Sequence, residues 1–167
     1  MKEKIFEHAW SYFQLHSQQR ITLFNYYITI STIICTAIGY CYQSTAREEY
    51  LKIGIFLSIF LLILTFIFWK FDQRTSFLIK HSERILKEIE AENFETSLYL
   101  FKVESESLLK ENLNKECILC KIWTYGTSFR VIFLLMALLS IAAIFFGFRL
   151  GFIEHSGVSS LGSLLQK

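Results

Sequence analysis

The chain has 167 residues, 53% of them hydrophobic and 19% charged, with a net charge of +2 and a mean hydropathy of +0.37. The charge content falls below the roughly 25% of an average soluble domain, the apolar bias excludes a disordered chain, and so small a charge excess does not by itself indicate nucleic acid. Proline is absent, where a share of about 5% would give roughly eight; this favours long uninterrupted helices over a turn-rich β-sandwich. Four cysteines are too few for a disulfide scaffold.

The chain opens with a polar, amphipathic stretch. Phe6, Ala9, Trp10 and Phe13 recur at helical spacing, flanked by Lys2, Lys4 and the segment Gln18 to Arg20. No small-residue cleavage pattern follows, so the stretch is not read as a signal peptide. Two readings stay open: an interfacial helix lying along the lipid headgroups with Trp10 at the boundary, or a helix packed on the rest of the protein.

Three apolar runs follow, Ile21 to Tyr42, Ile53 to Trp69 and Val131 to Phe148, and none contains Asp, Glu, Lys or Arg. Each approaches the ~20 residues a helix needs to cross a bilayer core. In lipid every backbone donor and acceptor must be paired within its own segment, so each run predicts a helix. The expected fold is all-α: a membrane helical protein with two or three transmembrane helices and a cytoplasmic helical hairpin. The expected division is 1–70 for the amphipathic N-terminal helix and transmembrane hairpin, 71–127 for the cytoplasmic hairpin, and 128–167 for the third apolar helix and a flexible C-terminal tail.

Lys70, Arg74, Lys80, Arg84 and Lys87 follow the second run, whereas Arg47 lies in the loop between the first two runs. The positive-inside rule then places the loop, about Gln43 to Tyr50, outside, with the N-terminus and the segment after Lys70 in the cytoplasm. If the third run spans, the tail is outside; if it is a half-buried helix, the tail stays inside.

Between runs two and three, Phe71, Leu78, Ile85, Leu86 and Ile89 form an apolar stripe, with Glu83–Lys87 and Arg84–Glu88 as i,i+4 pairs on the solvated side. A second helix is expected from about Thr96 to Tyr125, with Leu98, Phe101, Leu108, Leu109 and Leu113 as its apolar positions, after a turn near Asn93, Glu95 and Thr96. Acids and bases nearly balance here, which argues against a polybasic lipid or RNA patch. Gly126, Thr127 and Ser128 break this helix and offer a cap for the next. From Phe152 onward, Gly157, Ser159, Ser160, Gly162 and Ser163 predict a loosely held tail.

Run one carries a polar stripe, Thr22, Asn25, Thr29, Thr32, Thr36, Gly39 and Gln43, at intervals of three or four, with Tyr26, Ile30, Ile33 and Ile34 on its other sides. A helix facing only lipid has no reason to gather its hydroxyls and amide. The stripe either packs against another helix or lines a water-filled passage in an oligomer; Asn25, Thr29, Thr32 and Thr36 are the candidate residues in both cases. Run two presents Gly54, Ser58 and Thr65 on one face, a plausible mate, and run three presents Ala137, Ser140, Ala143 and Gly147. Three such faces suggest tight packing and a homo-oligomer, because three helices cannot enclose a pore alone.

Cys117 and Cys120 have a metal-like spacing, but no further ligand is near in sequence, and Cys35 and Cys41 lie in the first run. Incidental helix-face cysteines are the preferred reading. No metal and no cofactor is expected: phosphate loops, zinc-protease and serine-hydrolase motifs are absent. Two Arg-to-His spacings, Arg149 to His155 and Arg74 to His81, fit the loose pattern of HEPN ribonucleases, in which the His would deprotonate a ribose 2′-hydroxyl and the Arg would hold the phosphate. The alternative readings are a charge anchoring the end of an apolar run for Arg149 and a solvated helix face for Arg74 and His81.

Trp10-Ser-Tyr-Phe-Gln-Leu-His-Ser-Gln-Gln-Arg20-Ile-Thr-Leu-Phe-Asn25, leading into run one, and Phe68-Trp-Lys-Phe-Asp72-Gln-Arg74-Thr-Ser-Phe-Leu-Ile-Lys-His81-Ser-Glu83, leaving run two, together resemble small bacterial membrane proteins encoded beside defence systems. The family that can be named is the membrane accessory protein of type VI-B CRISPR loci, and the resemblance covers about residues 8–95. It implies a bacterial inner-membrane protein that forms a multimeric pore and strengthens antiphage immunity. Its implied partners are its own copies, the bilayer and an RNA-guided ribonuclease. It also implies a divergent HEPN-like motif near the C-terminus, which Arg149 and His155 match in spacing. A tail placed outside would keep that pair from cytoplasmic RNA. A membrane-attached ribonuclease and a non-conducting anchor for a defence complex are the alternatives.

Overall fold

The computed structural model describes the backbone of residues 2–43, 47–93, 103, 107, 110 and 124–164, and the side chains of 4–43, 49–91, 103, 107, 110 and 124–151. Three helices account for nearly all of it: α1 (Lys2–Gln43), α2 (Arg47–Asn93) and α3 (Tyr125–Leu164). No strand occurs among the described residues. Each helix contains one of the apolar runs, and all three are long and apolar enough to cross a membrane. The second helix of the expected hairpin lies outside the described residues, apart from Val103, Ser107, Lys110, Thr124 and Tyr125.

The helices are longer than the runs. No proline removes a backbone donor, so α1 continues from the amphipathic stretch through run one without a break. Within this stretch Ala9 is buried, Trp10 is exposed, and the Trp10 ring stacks on Phe13 one turn along the same helix at 5.8 Å. Helix α3 starts earlier than expected. Thr124 caps it, with the Thr127 N–H donating to the Thr124 carbonyl at 2.9 Å and to its hydroxyl at 3.4 Å. Gly126 therefore sits inside the first turn. The backbone stays helical to Leu164, past Phe152, where a loose tail is expected.

The chain divides into two compact units. Unit one is Met1–Phe24 with Lys70–Arg130; unit two is Asn25–Trp69 with Val131–Lys167.

In unit two, α1 buries Tyr27, Ser31, Ile34, Ile38 and Cys41. These positions alternate by four and three, the seam of a left-handed helix pair. Helix α2 answers with Gly54, Ser58, Leu61 and Thr65, and α3 with Phe133, Ser140 and Gly147. The contacts set the register. The Tyr27 ring lies 5.3 Å from Phe68 and 4.8 Å from Phe133, and the Tyr42 hydroxyl donates to the Ala143 carbonyl at 2.8 Å. Tyr27 and Phe133 are level at one end, and Tyr42 and Ala143 at the other. Run three is thus parallel to run one, and run two is antiparallel to both.

In unit one, α2 buries Asp72, Thr75, Ser76, Ser82, Leu86 and Glu90. The expected apolar stripe is only partly buried: Leu86 is fully covered, Leu78, Ile85 and Ile89 are half-buried, and Phe71 is exposed. Asp72, next to Phe71, turns inward because it has a cation to meet. Arg20 donates to both its carboxylate oxygens, at 2.7 and 3.1 Å. The expected Glu83–Lys87 and Arg84–Glu88 pairs are not closed among the described residues.

Candidate functional site

The polar stripe of run one is the candidate site. Thr22, Asn25, Thr29, Thr32 and Thr36 are all exposed on α1, on the side away from the Tyr27–Cys41 seam. Each hydroxyl in its centre bonds its own helix: Thr29 to the Asn25 carbonyl at 3.0 Å, Thr32 to Ile28 at 2.8 Å, and Thr36 to Thr32 at 2.9 Å. Their protons are satisfied without water, and their oxygen lone pairs point outward as acceptors. The Asn25 side-chain amide bonds no described residue; in hydrocarbon it would lack partners, at a cost of several kcal/mol. A groove of about 630 Å³ runs beside the stripe, lined by Thr32, Ile33, Thr36 and Ala37 together with Ile53 and Leu57 of α2.

The small-residue face of run two is not the mate of this stripe. Gly54, Ser58 and Thr65 pack on the opposite side of α1, where Tyr27 and Tyr42 are. The Tyr27 hydroxyl lies 3.1 Å from the Thr65 hydroxyl, which donates to the Leu61 carbonyl at 2.8 Å. The Tyr42 hydroxyl lies 3.4 Å from Ser58. A tyrosine on one helix needs a small residue on the next, and the sequence search for hydroxyl-rich faces passes over the tyrosines that select them.

Tyr42 occupies a cradle of two glycines. A Cβ on Gly54 would meet the Tyr42 ring at 2.6 Å; one on Gly147 would meet Ile55 at 2.6 Å and the Tyr42 hydroxyl at 2.8 Å. Run three's expected face is thereby accounted for within the protomer: Ser140 and Gly147 are buried and Ala143 supplies the acceptor carbonyl. The only hydroxyl-bearing stripe of the three left uncovered is that of α1.

In unit one, Arg20 and Asp72 form an ion pair with side chains 12% and 5% exposed. The guanidinium also lies over the Phe129 ring, 5.2 Å from its centre, and Phe24 stacks on Phe129 at 3.9 Å. A Cβ on Gly126 would approach Arg20 Nη2 at 3.2 Å, so this glycine gives the guanidinium its room. Sequence reasoning missed this cluster. The available signal was a lone arginine just before run one and a lone aspartate just after run two.

Arg149 is exposed on α3, near Gly151, whose added Cβ would meet Leu51 at 3.1 Å; the His155 side chain lies outside the described residues. Arg74 and His81 are exposed on α2, separated by about 10 Å of helical rise. Among the described residues, no group of three His, Cys, Asp or Glu is placed to hold a metal. Cys117 and Cys120 lie outside them.

Residues 3–151 match the octameric membrane protein family. The chain is 37% identical over 131 residues to CD-NTase-associated protein 19 of Escherichia coli, a similarity covering 78% of this chain and 82% of that protein. No solved structure matches the chain.

Proposed function

The chain belongs to the octameric membrane protein family, and from that premise we propose that eight copies form a ring in a bacterial inner membrane, around a passage lined by Asn25, Thr29, Thr32 and Thr36. Opening the passage depolarises the membrane, and this is the effector step of antiphage defence. The observation that carries the reading is the α1 stripe: it is the hydroxyl face that the protomer leaves uncovered. A ring supplies the water or neighbouring subunit that it needs. Acceptor oxygens backed by helix carbonyls suit the passage of hydrated cations.

The partner follows the relative. Similarity to a CD-NTase-associated protein favours a CD-NTase as the associated component over the RNA-guided ribonuclease implied by the type VI-B resemblance. Helix direction favours a pore over a membrane-attached ribonuclease. Run three parallels run one, so with the N-terminus inside, Arg149 and His155 lie on the far side from cytoplasmic RNA.

The test is ion flux from liposomes holding the purified octamer. Asn25→Leu with Thr32→Leu is expected to cut flux at least tenfold while the octamer's mass is unchanged. Full flux from an intact double-variant octamer would assign the stripe to dry subunit packing. Arg149→Ala with His155→Ala is expected to leave flux as it was.

A further inference from the structure

The sequence between Lys70 and Ala91 is nearly charge-balanced, but the fold sorts its charges. Asp72 and Glu90 are buried, and Asp72 is consumed by Arg20. Lys70, Arg74, Lys80, His81 and Arg84 remain exposed on α2. Arg74, Lys80 and Arg84 form no ion pair among the described residues. At 100° per residue, positions 74 to 84 of this set fall within an arc of about 120°, opposite the buried seam. Phe77 stands in the middle of that arc and is 69% exposed. Glu88 is the acid at its far end.

From this arrangement we infer that the exposed face of α2 in unit one binds single-stranded nucleic acid, with the cations on its phosphates and Phe77 as a platform for a base. The combination of a cationic track and an exposed aromatic is what strand binding without sequence readout requires. A lipid surface would take the cations as point charges but offers no planar ring to stack on Phe77, and anionic vesicles are therefore one arm of the test. An acidic peptide would satisfy the charges but leave Phe77 without a role. The inference does not depend on the pore reading, since it uses only unit one.

The experiment is fluorescence anisotropy with the purified oligomer in zwitterionic nanodiscs and labelled twelve-nucleotide strands, oligo-U and oligo-dT; stronger binding of one assigns the sugar. Lys80→Gln with Arg84→Gln is expected to weaken binding at least tenfold and to lower the salt slope by about 1.4, from roughly 0.7 per phosphate contact. Phe77→Ala is expected to weaken binding about tenfold and leave the salt slope unchanged. All three side chains are exposed, and unchanged circular dichroism and mass would confirm intact variants. The inference is overturned if neither strand binds, if polyglutamate of equal charge competes as well as the strands, or if Phe77→Ala has no effect. Binding to phosphatidylglycerol vesicles that depends on Lys80 and Arg84 and excludes the strands would also overturn it, and would assign the face to lipid.

Discussion

The two units use one kind of helix seam beneath exteriors that differ in charge. In unit two the seam of α2 carries Ser58 and Thr65, each donating to the carbonyl four residues earlier at 2.8 Å. In unit one the same helix carries Thr75 and Ser82, each bonded in the same way at 2.9 Å. The outer faces differ. Unit two exposes Phe56, Phe66, Leu134 and Phe145; unit one exposes Arg74, Lys80 and Arg84 among apolar side chains such as Ile5, Leu15 and Phe77. Lipid gives apolar side chains no reason to hide, so unit two is held by close approach and hydroxyls. Unit one adds a buried ion pair to the same kind of seam. Outer composition therefore reports the solvent, and the seam reports the packing.

The largest expected break in this comparison is in unit one. Asp72→Ala leaves the Arg20 guanidinium buried without its partner and is expected to cost about 4 kcal/mol in reversible unfolding. Replacing both, Arg20→Met with Asp72→Leu, should recover most of that loss. In unit two, Gly147→Val forces a side chain into Ile55 and Tyr42 and is expected to cost about 3 kcal/mol, read as a lowered melting temperature in detergent. Tyr42→Phe removes the bond to the Ala143 carbonyl and keeps the ring in its cradle, at about 0.6 kcal/mol. Smallest is Thr36→Ala: its hydroxyl bonds only its own helix, and protomer stability should change by less than about 0.5 kcal/mol. A large effect there would place the stripe inside the protomer's packing.

The elements themselves were legible in the sequence. Charge-free runs near bilayer length predict helices because the backbone has no other solution in lipid. The faces of runs two and three were legible too, since small residues at helical spacing mark close approach. What they approach was not. Tyr27 and Tyr42 are bulky and amphipathic, and such residues suit a lipid interface as well as a core. The Arg20–Asp72 pair spans 52 positions, and no local pattern joins residues so far apart. The i,i+4 pairs of α2 were overread, because favourable spacing permits an exposed ion pair but contributes too little to enforce it. The cap at Thr124 was overlooked in favour of the more conspicuous glycine two residues later.

A wedge seated in notches on both its neighbours prevents sliding. Sliding α3 along α1 would carry the Gly147 notch away from the Tyr42 hydroxyl, and a full turn in the C-terminal direction, about 5.4 Å, would bring the Cβ-bearing Ala143 of the same face into its place. The three apolar helices of a protomer are keyed to shift together, as one stave of a barrel. In the proposed ring, motion that widens or closes the passage would then fall at the joints between staves.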